Sequence, residues 1–288
     1  MNICAIIVWY NPDFVCVNNI LTYSKFVKKC YIVDNSECDN TSLAKKISNA
    51  IYIPNFKNLG IAAALNKGCG IAKNEGFEWC MTMDQDSAWE SGFLEEYLSN
   101  VENLATQIVS VKSYAPTPMI ERSYLGKIKQ KIKNLIIHNA KDSYYCFCDR
   151  VICSGNIINL ICWEEMHGFN EKLFIDEVDF DYCYRLREKK YDIIKFNEIF
   201  FFHVLGNNKK QFLFSKDSHS STRLFYMFRN QEYIIRKYPK YAKKYKYRNE
   251  LISLFIQRCI FDIHFISNLK AFVAARKDKS LYEISNKE

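Results

Sequence analysis

The chain has 288 residues, of which 49% are hydrophobic and 25% charged, with a net charge of +8. This is ordinary globular composition, long enough for one large domain or two unequal ones, and it excludes a disordered or collagen-like chain. Only 9 Gly and 5 Pro leave little room for flexible linkers, and no stretch is apolar for long enough to span a bilayer.

The opening Met1–Val8 lacks a basic stretch and a cleavage site, so it reads as a buried strand rather than a signal peptide. Strand candidates are Cys4–Trp9, Cys30–Val33, Ile51–Ile53 and Phe77–Met83, and helices are predicted over Phe14–Lys28, Thr41–Ala50 and Ile61–Lys73. Strand–helix alternation predicts an α/β fold with a mostly parallel, doubly wound sheet. Ligands of such sheets sit at the carboxyl ends of the strands. The clusters Asp34-Asn35-Ser36 and Asp84-Gln85-Asp86 each follow a strand, so they share one rim. Further strands are expected at Ile108–Tyr114, Asp149–Cys153, Asn156–Ile161 and Ile193–Phe202, and a helix at Tyr182–Lys190. From Thr222 onward the pattern is helical and basic.

Most of the 12 cysteines lie singly in apolar segments, as reduced, buried thiols of a cytosolic protein do. Cys146 and Cys148 have no second pair at zinc spacing. Charge is uneven: Asn207–Glu288 holds 18 Lys+Arg against 7 Asp+Glu, a net +11, while the remainder is −3. Such a segment either meets polyanions, such as nucleic acid, anionic lipid or phosphate-bearing substrates, or is a solvated helical surface. Leu251–Ile266, broken by Gln257, Arg258, Asp262 and His264, reads as an amphipathic surface helix or as a core-packing one.

Two carboxylates spaced i, i+2 at the end of a buried strand, Asp84 and Asp86, can hold one hard divalent cation and leave positions open for phosphate oxygens. Asp176, Glu177, Asp179 and Asp181 place four carboxylates in six residues. Crowding of like charges raises a carboxyl pKa unless a cation is near, and a raised carboxylate can act as a general base. The plainer reading is acids at a helix N-terminus, favoured by its dipole. His203 follows the apolar run Ile199–Phe202 and is either a core residue or, with Asp84 and Asp86, part of an N/O ligand set for manganese or magnesium.

Several blocks in order resemble a family 2 glycosyltransferase of the GT-A fold, and within it the bacterial rhamnosyltransferase-like branch. Ala5–Pro12 resembles the first strand and nucleotide loop, and Val33-Asp34-Asn35-Ser36 the base-binding turn. Asn58–Gly68 resembles the family's Asn-x-Gly-x-Ala-x-Ala-x-Asn-x-Gly helix, and Asp84-Gln85-Asp86-Ser87 its metal motif. Ser154-Gly155 and Gly168–Glu171 resemble the acceptor side. Phe174–Arg185 resembles the catalytic segment, with Asp179 at the place of the base and Val178 where the family has Glu, a departure usual in this branch. His203, 24 residues beyond Asp179, falls at the metal-binding His, and Arg223–Asn230 resembles the branch's Arg-x-x-Tyr-x-x-Arg-Asn block.

The resemblance spans about residues 1–240. It implies a GT-A catalytic domain over 1–205, with a nucleotide-binding half (1–86) and an acceptor half (87–205), and a helical C-terminal region over 206–288. It implies inverting transfer of rhamnose or another hexose from a nucleoside-diphosphate donor to a glycan or lipid-linked acceptor of a bacterial surface polysaccharide. Asp179 is then the base. Tyr10, Asn11, Asp34, Asn58, Asn66, Asp84 and Asp86 face the donor nucleotide. Ser154, Gly155, Asp176, Arg223 and Arg229 face acceptor or phosphate. Asp84, Asp86 and His203 hold Mn2+ or Mg2+. The enzyme is expected in the cytoplasm, in peripheral contact with the anionic inner face of the membrane, and without a nucleic-acid partner. A nucleotidyltransferase, which needs a Gly-rich basic loop where Asn11-Pro12-Asp13 stands, and a non-catalytic sugar-nucleotide-binding protein are the alternatives.

Overall fold

The computed structural model describes residues 1–119, 144–203 and 220–281, with His203 described for its backbone alone. The first half alternates as expected: β1 (Ile3–Trp9), α1 (Phe14–Leu21), β2 (Cys30–Asp34), α2 (Thr41–Ala44), β3 (Ala50–Pro54), α3 (Ile61–Asn74) and β4 (Trp79–Asp84). β5 (Ser87–Trp89), α4 (Phe93–Gln107), β6 (Val111–Met119), β7 (Tyr145–Phe147), β8 (Asn156–Asn159), α5 (Leu160–Glu165), α6 (Val178–Glu188) and β9 (Asp192–His203) follow. The sheet runs β3-β2-β1-β4-β8-β6-β9-β5, with β7 on β9. β3, β2, β1 and β4 are parallel, as are β6 and β9, and β8 enters antiparallel between β4 and β6.

Successive side chains of a strand point to opposite faces. Ile3, Ala5, Ile7 and Trp9 pack under α1 and α4, while Cys4 and Ile6 pack under α3. Burial on both faces explains the continuous apolar runs. α3 lies close on the sheet because Gly68 has no side chain: a Cβ there would stand 2.5 Å from Ile6 Cγ2.

Several predicted elements differ from those observed, and for four of them a contact gives the reason. α1 stops at Leu21 instead of Lys28, because Asn49 Nδ2 takes the carbonyls of Ser24 and Val27 (2.8 and 3.0 Å) and Lys28 N donates to Ile3 O. α2 ends at Ala44, since Ala50 pairs with Cys30 in the sheet. Asp149–Cys153 is not a strand: Arg150 lies among the rings of Phe180, Tyr245 and Tyr247 (4.5, 4.0 and 5.3 Å), outside the ladder. β8 ends at Asn159, whose side chain accepts from Cys162 N (2.9 Å) and starts α5.

Beyond the sheet lie α7 (Ser221–Lys237), α8 (Pro239–Lys244), α9 (Tyr247–Phe255) and α10 (Phe265–Lys277). The amphipathic α7 buries Leu224, Phe228, Tyr233 and Ile234. Tyr233 and Tyr238 both donate to the fully buried carboxylate of Asp181 (3.0 and 2.8 Å), pinning the helical region to α6. Among the described residues no helix is long and apolar enough to cross a membrane. None of the twelve cysteines is in a disulfide, and the thiols of Cys4 and Cys30 are held up by burial.

Candidate active site

Parallel pairing sets the carboxyl ends of β1, β2 and β4 side by side, and side chains tie their loops together. Gln85 Oε1 accepts from Tyr10 N (2.8 Å) and its Nε2 donates to Tyr10 O (3.2 Å). Asn11, in left-handed conformation, donates its N–H to Ser36 Oγ (2.7 Å). Asp34 organises this rim from within. It is buried, and it accepts from Ser36 N and Oγ (2.8 and 2.5 Å), Asn40 Nδ2 (2.8 Å) and Tyr52 OH (2.8 Å). Those donors occupy its lone pairs, so it shapes the turn rather than presenting a free carboxylate. The Tyr10 ring stands exposed on the rim. Asn58 is exposed and caps Gly60 N (2.9 Å) at the start of α3.

Asp84 closes β4. Its N–H donates to Ser154 Oγ (3.1 Å), which donates to Ser87 Oγ (2.7 Å). Gly155 N donates to Thr82 O (2.9 Å). Ser154 is fully buried, so the expectation that Ser154 and Gly155 face the acceptor is corrected: they hold the strand end that carries Asp84. The Asp84 carboxyl is pushed up to about 7, first by burial and then by Asp86, against the pull of Arg223. The backbone of His203 pairs with Ser87, next to Asp86, but its side chain lies outside the described residues.

The four carboxylates of the second cluster diverge instead of crowding. Asp181 turns into the core, where Arg185 Nε reaches it at 2.9 Å. Asp176 takes the Arg223 guanidinium in a two-point pair (Nε–Oδ2 3.2 Å, Nη2–Oδ1 3.0 Å). Glu177 accepts from Tyr247 OH (2.8 Å). Asp179, in the first turn of α6, accepts from Cys153 N (3.1 Å) at Oδ2 and Phe180 N (2.9 Å) at Oδ1. Its carboxyl is pushed up to about 7, mainly by burial and also by Asp84 across the cavity, against the backbone donors. Asp84, Asp176, Glu177, Asp179 and Arg223 line one cavity of about 320 Å³, with Leu65 and Met227 among its apolar walls.

The segment that delivers Asp179 is strained. Phe174, Asp176 and Glu177 all have positive φ (64°, 63° and 65°), which costs of order 1–3 kcal/mol each for non-glycine residues. Asn230 Nδ2 donates to the carbonyls of Leu173, Ile175 and Asp176 (2.9, 2.8 and 2.9 Å), and Arg229 reaches the carbonyls of Lys172 and Leu173. Arg229 is buried with its remaining donors on Asn230 and Asp278, and it does not line the cavity, so the expected phosphate contact is corrected to a clamp on this loop. Asn66 is corrected likewise: its amide holds Phe169 N and O (2.7 and 2.9 Å) and Glu171 (2.8 Å), buttressing the chain before the loop rather than facing a nucleotide. Gly60 completes the support, since a Cβ there would stand 2.6 Å from Phe174 Cδ2.

Sequence reasoning gave no role to Asn230 or Gln85 and named Glu177 only as one of four clustered carboxylates, although all three lie inside quoted blocks. Their signal was adjacency to the motif residues they hold. Glu177 has a measurable consequence. Burial is the main cause that raises its carboxyl from 4.5 to about 8. The folded state therefore holds this proton more tightly than the unfolded chain, and stability falls as pH rises through that window. Glu177→Gln, which keeps the acceptor for Tyr247, should have a Tm close to wild type at pH 5 and a higher one at pH 8.5, as read by thermal melts. An equal offset at both values would show that Glu177 does not carry this linkage.

The sequence profile of glycosyl transferase family 2 matches residues 15–174, more than half of the chain. The chain belongs to glycosyl transferase family 2. The match takes in the Asp84–Asp86 turn and stops just short of the Asp176–Asp181 cluster. This family 2 chain is 26% identical over 247 residues to a dTDP-rhamnosyl transferase, RfbF, of Shigella flexneri, covering 82% of the chain and 80% of that protein. Among solved structures it resembles residues 1–349 of TarS from S. aureus (TM-score 0.53, 12% identity, covering 96% of this chain and 81% of that one). It also resembles GalNAc-T7, crystallised with UDP, GalNAc and Mn2+ (TM-score 0.55, 12% identity, covering 93% of this chain and 59% of that one). These likenesses bear on the fold, a GT-A glycosyltransferase with a helical C-terminal region. The glycosyltransferase is rhamnosyltransferase-like and uses a nucleotide-sugar donor.

Proposed function

We propose that the enzyme transfers rhamnose, or another hexose, from a nucleoside diphosphate, with inversion, to a hydroxyl of a glycan or lipid-linked acceptor in bacterial surface polysaccharide synthesis. The observation that carries the reading is the shared cavity: Asp179, a carboxyl held up to about 7, faces the same space as Asp84 at the end of the nucleotide half. A base poised near neutrality can accept a hydroxyl proton as the oxygen attacks. Helix α6 and two backbone N–H groups fix Asp179 in place for that transfer. The leaving diphosphate sits at the rim, where Arg223, held in place by its two-point pair with Asp176, brings a positive charge. The nucleotide base lies on the turn organised by Asp34, against Tyr10, Asn11 and Asn58.

Asp84 and Asp86 fit a divalent cation by chemistry: two carboxylates in one turn, with burial and then Asp86 raising the cost of ionising Asp84. Among the described residues no group of three or more ligand side chains stands together, so His203 and diphosphate oxygens would complete the set. Mn2+ or Mg2+ bound there supplies Lewis-acid neutralisation of the departing diphosphate. Residues 1–205 form the catalytic unit in this reading, and 206–288 a helical region over the acceptor side. The place of action is the cytoplasmic face of the membrane.

The test is a donor screen that measures nucleoside-diphosphate release in the presence of acceptor glycans. The relative's donor class makes dTDP-rhamnose the expected best substrate, ahead of UDP-glucose and UDP-galactose by about tenfold or more in kcat/KM. Equal inertness of all sugar nucleotides under conditions where the protein is folded would refute the reading.

A further inference from the structure

The helical region ends in a hairpin whose outer surface is apolar. After α9 a π turn over Ile256–Ile260 leads into α10, and the inner faces of both helices pack with Leu224 and Phe228 of α7 around Cys259, Ala271 and Ala275. A solvated hairpin would be polar on its other side. Here Ile252, Ile256 and Ile260 recur every fourth residue outward, Phe261 and Ile263 are 71% and 83% exposed, and Ile266, Leu269 and Val273 extend the surface along α10. The turn is held by polar contacts of its own: Asn268 Nδ2 donates to Arg258 O (2.8 Å) and Arg258 pairs with Asp262 (3.3 Å). A contiguous exposed apolar patch of this kind marks an interaction surface.

Charge identifies the partner. Arg248 stands one turn before Ile252, and Lys270 and Lys277 are exposed along α10, in the segment that carries most of the chain's excess positive charge. At about 1.5 Å per residue, Arg248 lies about 18 Å behind Ile260, so the apolar turn projects ahead of a basic collar. That is the arrangement of an interfacial element: apolar side chains at the acyl boundary, basic ones among anionic headgroups. A groove also links this hairpin to the site: Leu254 of α9 and Gln257 of the π turn line it with Met227 and Gln231, and those last two residues also line the Asp179 cavity.

We infer that the 252–273 hairpin docks the enzyme on an anionic phospholipid surface, with its cavity opening beside the membrane. This deepens the proposed use of a lipid-linked acceptor and rests on that reading for its purpose, while the docking itself uses none of the catalytic residues. The test is flotation of the full chain with vesicles of phosphatidylcholine alone and of equimolar phosphatidylcholine and phosphatidylglycerol. Wild type is expected to float with the anionic vesicles and much less with the neutral ones. The triple variant Phe261→Ser, Ile263→Ser, Ile266→Ser should lose about tenfold or more in partitioning, because it removes apolar area without touching the collar. Its Tm, elution volume and turnover on a water-soluble acceptor should stay at wild-type values, since all three side chains are exposed.

Equal flotation of the triple variant, or indifference of wild type to anionic vesicles, would overturn the docking. So would a wild-type dimer that the triple variant dissociates, which would assign the patch to a second copy. Wild type that ignores vesicles yet transfers sugar leaves the transferase reading intact, whereas a chain that floats but transfers nothing sustains docking and refutes transfer.

Discussion

Asp179→Asn should lower turnover by roughly a hundredfold or more while nucleotide affinity stays within about twofold of wild type. The carboxylate is the group in the cavity placed to accept a proton, and an amide cannot. Geometry predicts that the substitution is otherwise mild. Oδ1 and Oδ2 each accept one backbone N–H, so Asn keeps one of these hydrogen bonds and sets an amide nitrogen against the other donor, a loss of about 1–3 kcal/mol at a half-buried position. The variant should therefore fold, with a lower Tm. Stopped assays of diphosphate release together with calorimetric titration of the nucleotide separate the two effects. A drop in affinity that matches the drop in turnover would move Asp179 from proton transfer to donor binding.

Removal of divalent cation has the second large expected effect. Chelation should abolish transfer, and manganese or magnesium should restore it. Asp84→Asn should both weaken nucleotide binding and lower turnover, because Asp84 lines the cavity, the charge of Asp86 in the same turn reaches it, and an unneutralised diphosphate would face that charge. Arg223 alone cannot offset that charge, since its fork is already on Asp176. Full activity in excess chelator, with the metal content of the protein shown to be negligible, would contradict the assignment of the Asp84–Asp86 turn.

The parts of this enzyme legible in its sequence are those that depend on local pattern. β1, β2 and β4 were readable because strands buried on both faces are continuous apolar runs, and the rim was readable because polar triplets end two of them. Helix ends were less legible. α1 stops at Leu21 because Asn49, far along the chain, takes two carbonyls, and no local propensity encodes that contact. The site shows the same division. Resemblance placed Asp84, Asp176, Asp179 and Arg223 in one region, and all four line one cavity. Pattern alone could not tell which motif residues face that cavity and which hold others in place. Arg229, Asn66 and Ser154 stand in motif positions with polar side chains suited to ligands, yet their hydrogen bonds go to Lys172 and Leu173, to Phe169, and to Asp84 N. The raised carboxyl expected of the acidic cluster is found at Glu177 and Asp179, but burial is its main cause, and Asp179 and Asp176 add to it only at Glu177. Left-handed backbone at Asp176 and Glu177 throws consecutive side chains in different directions, and positive φ at non-glycine residues leaves no compositional mark.

The most direct measurement of the central claim is a four-member panel, Asp176→Asn, Glu177→Gln, Asp179→Asn and Asp181→Asn, assayed for turnover, nucleotide affinity and Tm on the same preparations. The four side chains diverge, so the four variants should diverge. Asp179→Asn should lose turnover and keep nucleotide binding. Asp176→Asn should release Arg223 and weaken nucleotide binding. Glu177→Gln should stay near wild type in turnover. Asp181→Asn should fall mainly in Tm, because its carboxylate is buried against Arg185 and two tyrosines. Near wild-type turnover in Asp179→Asn with a dead Asp176→Asn would move the base to Asp176, and joint loss of nucleotide binding in all four would contradict the general-base account altogether.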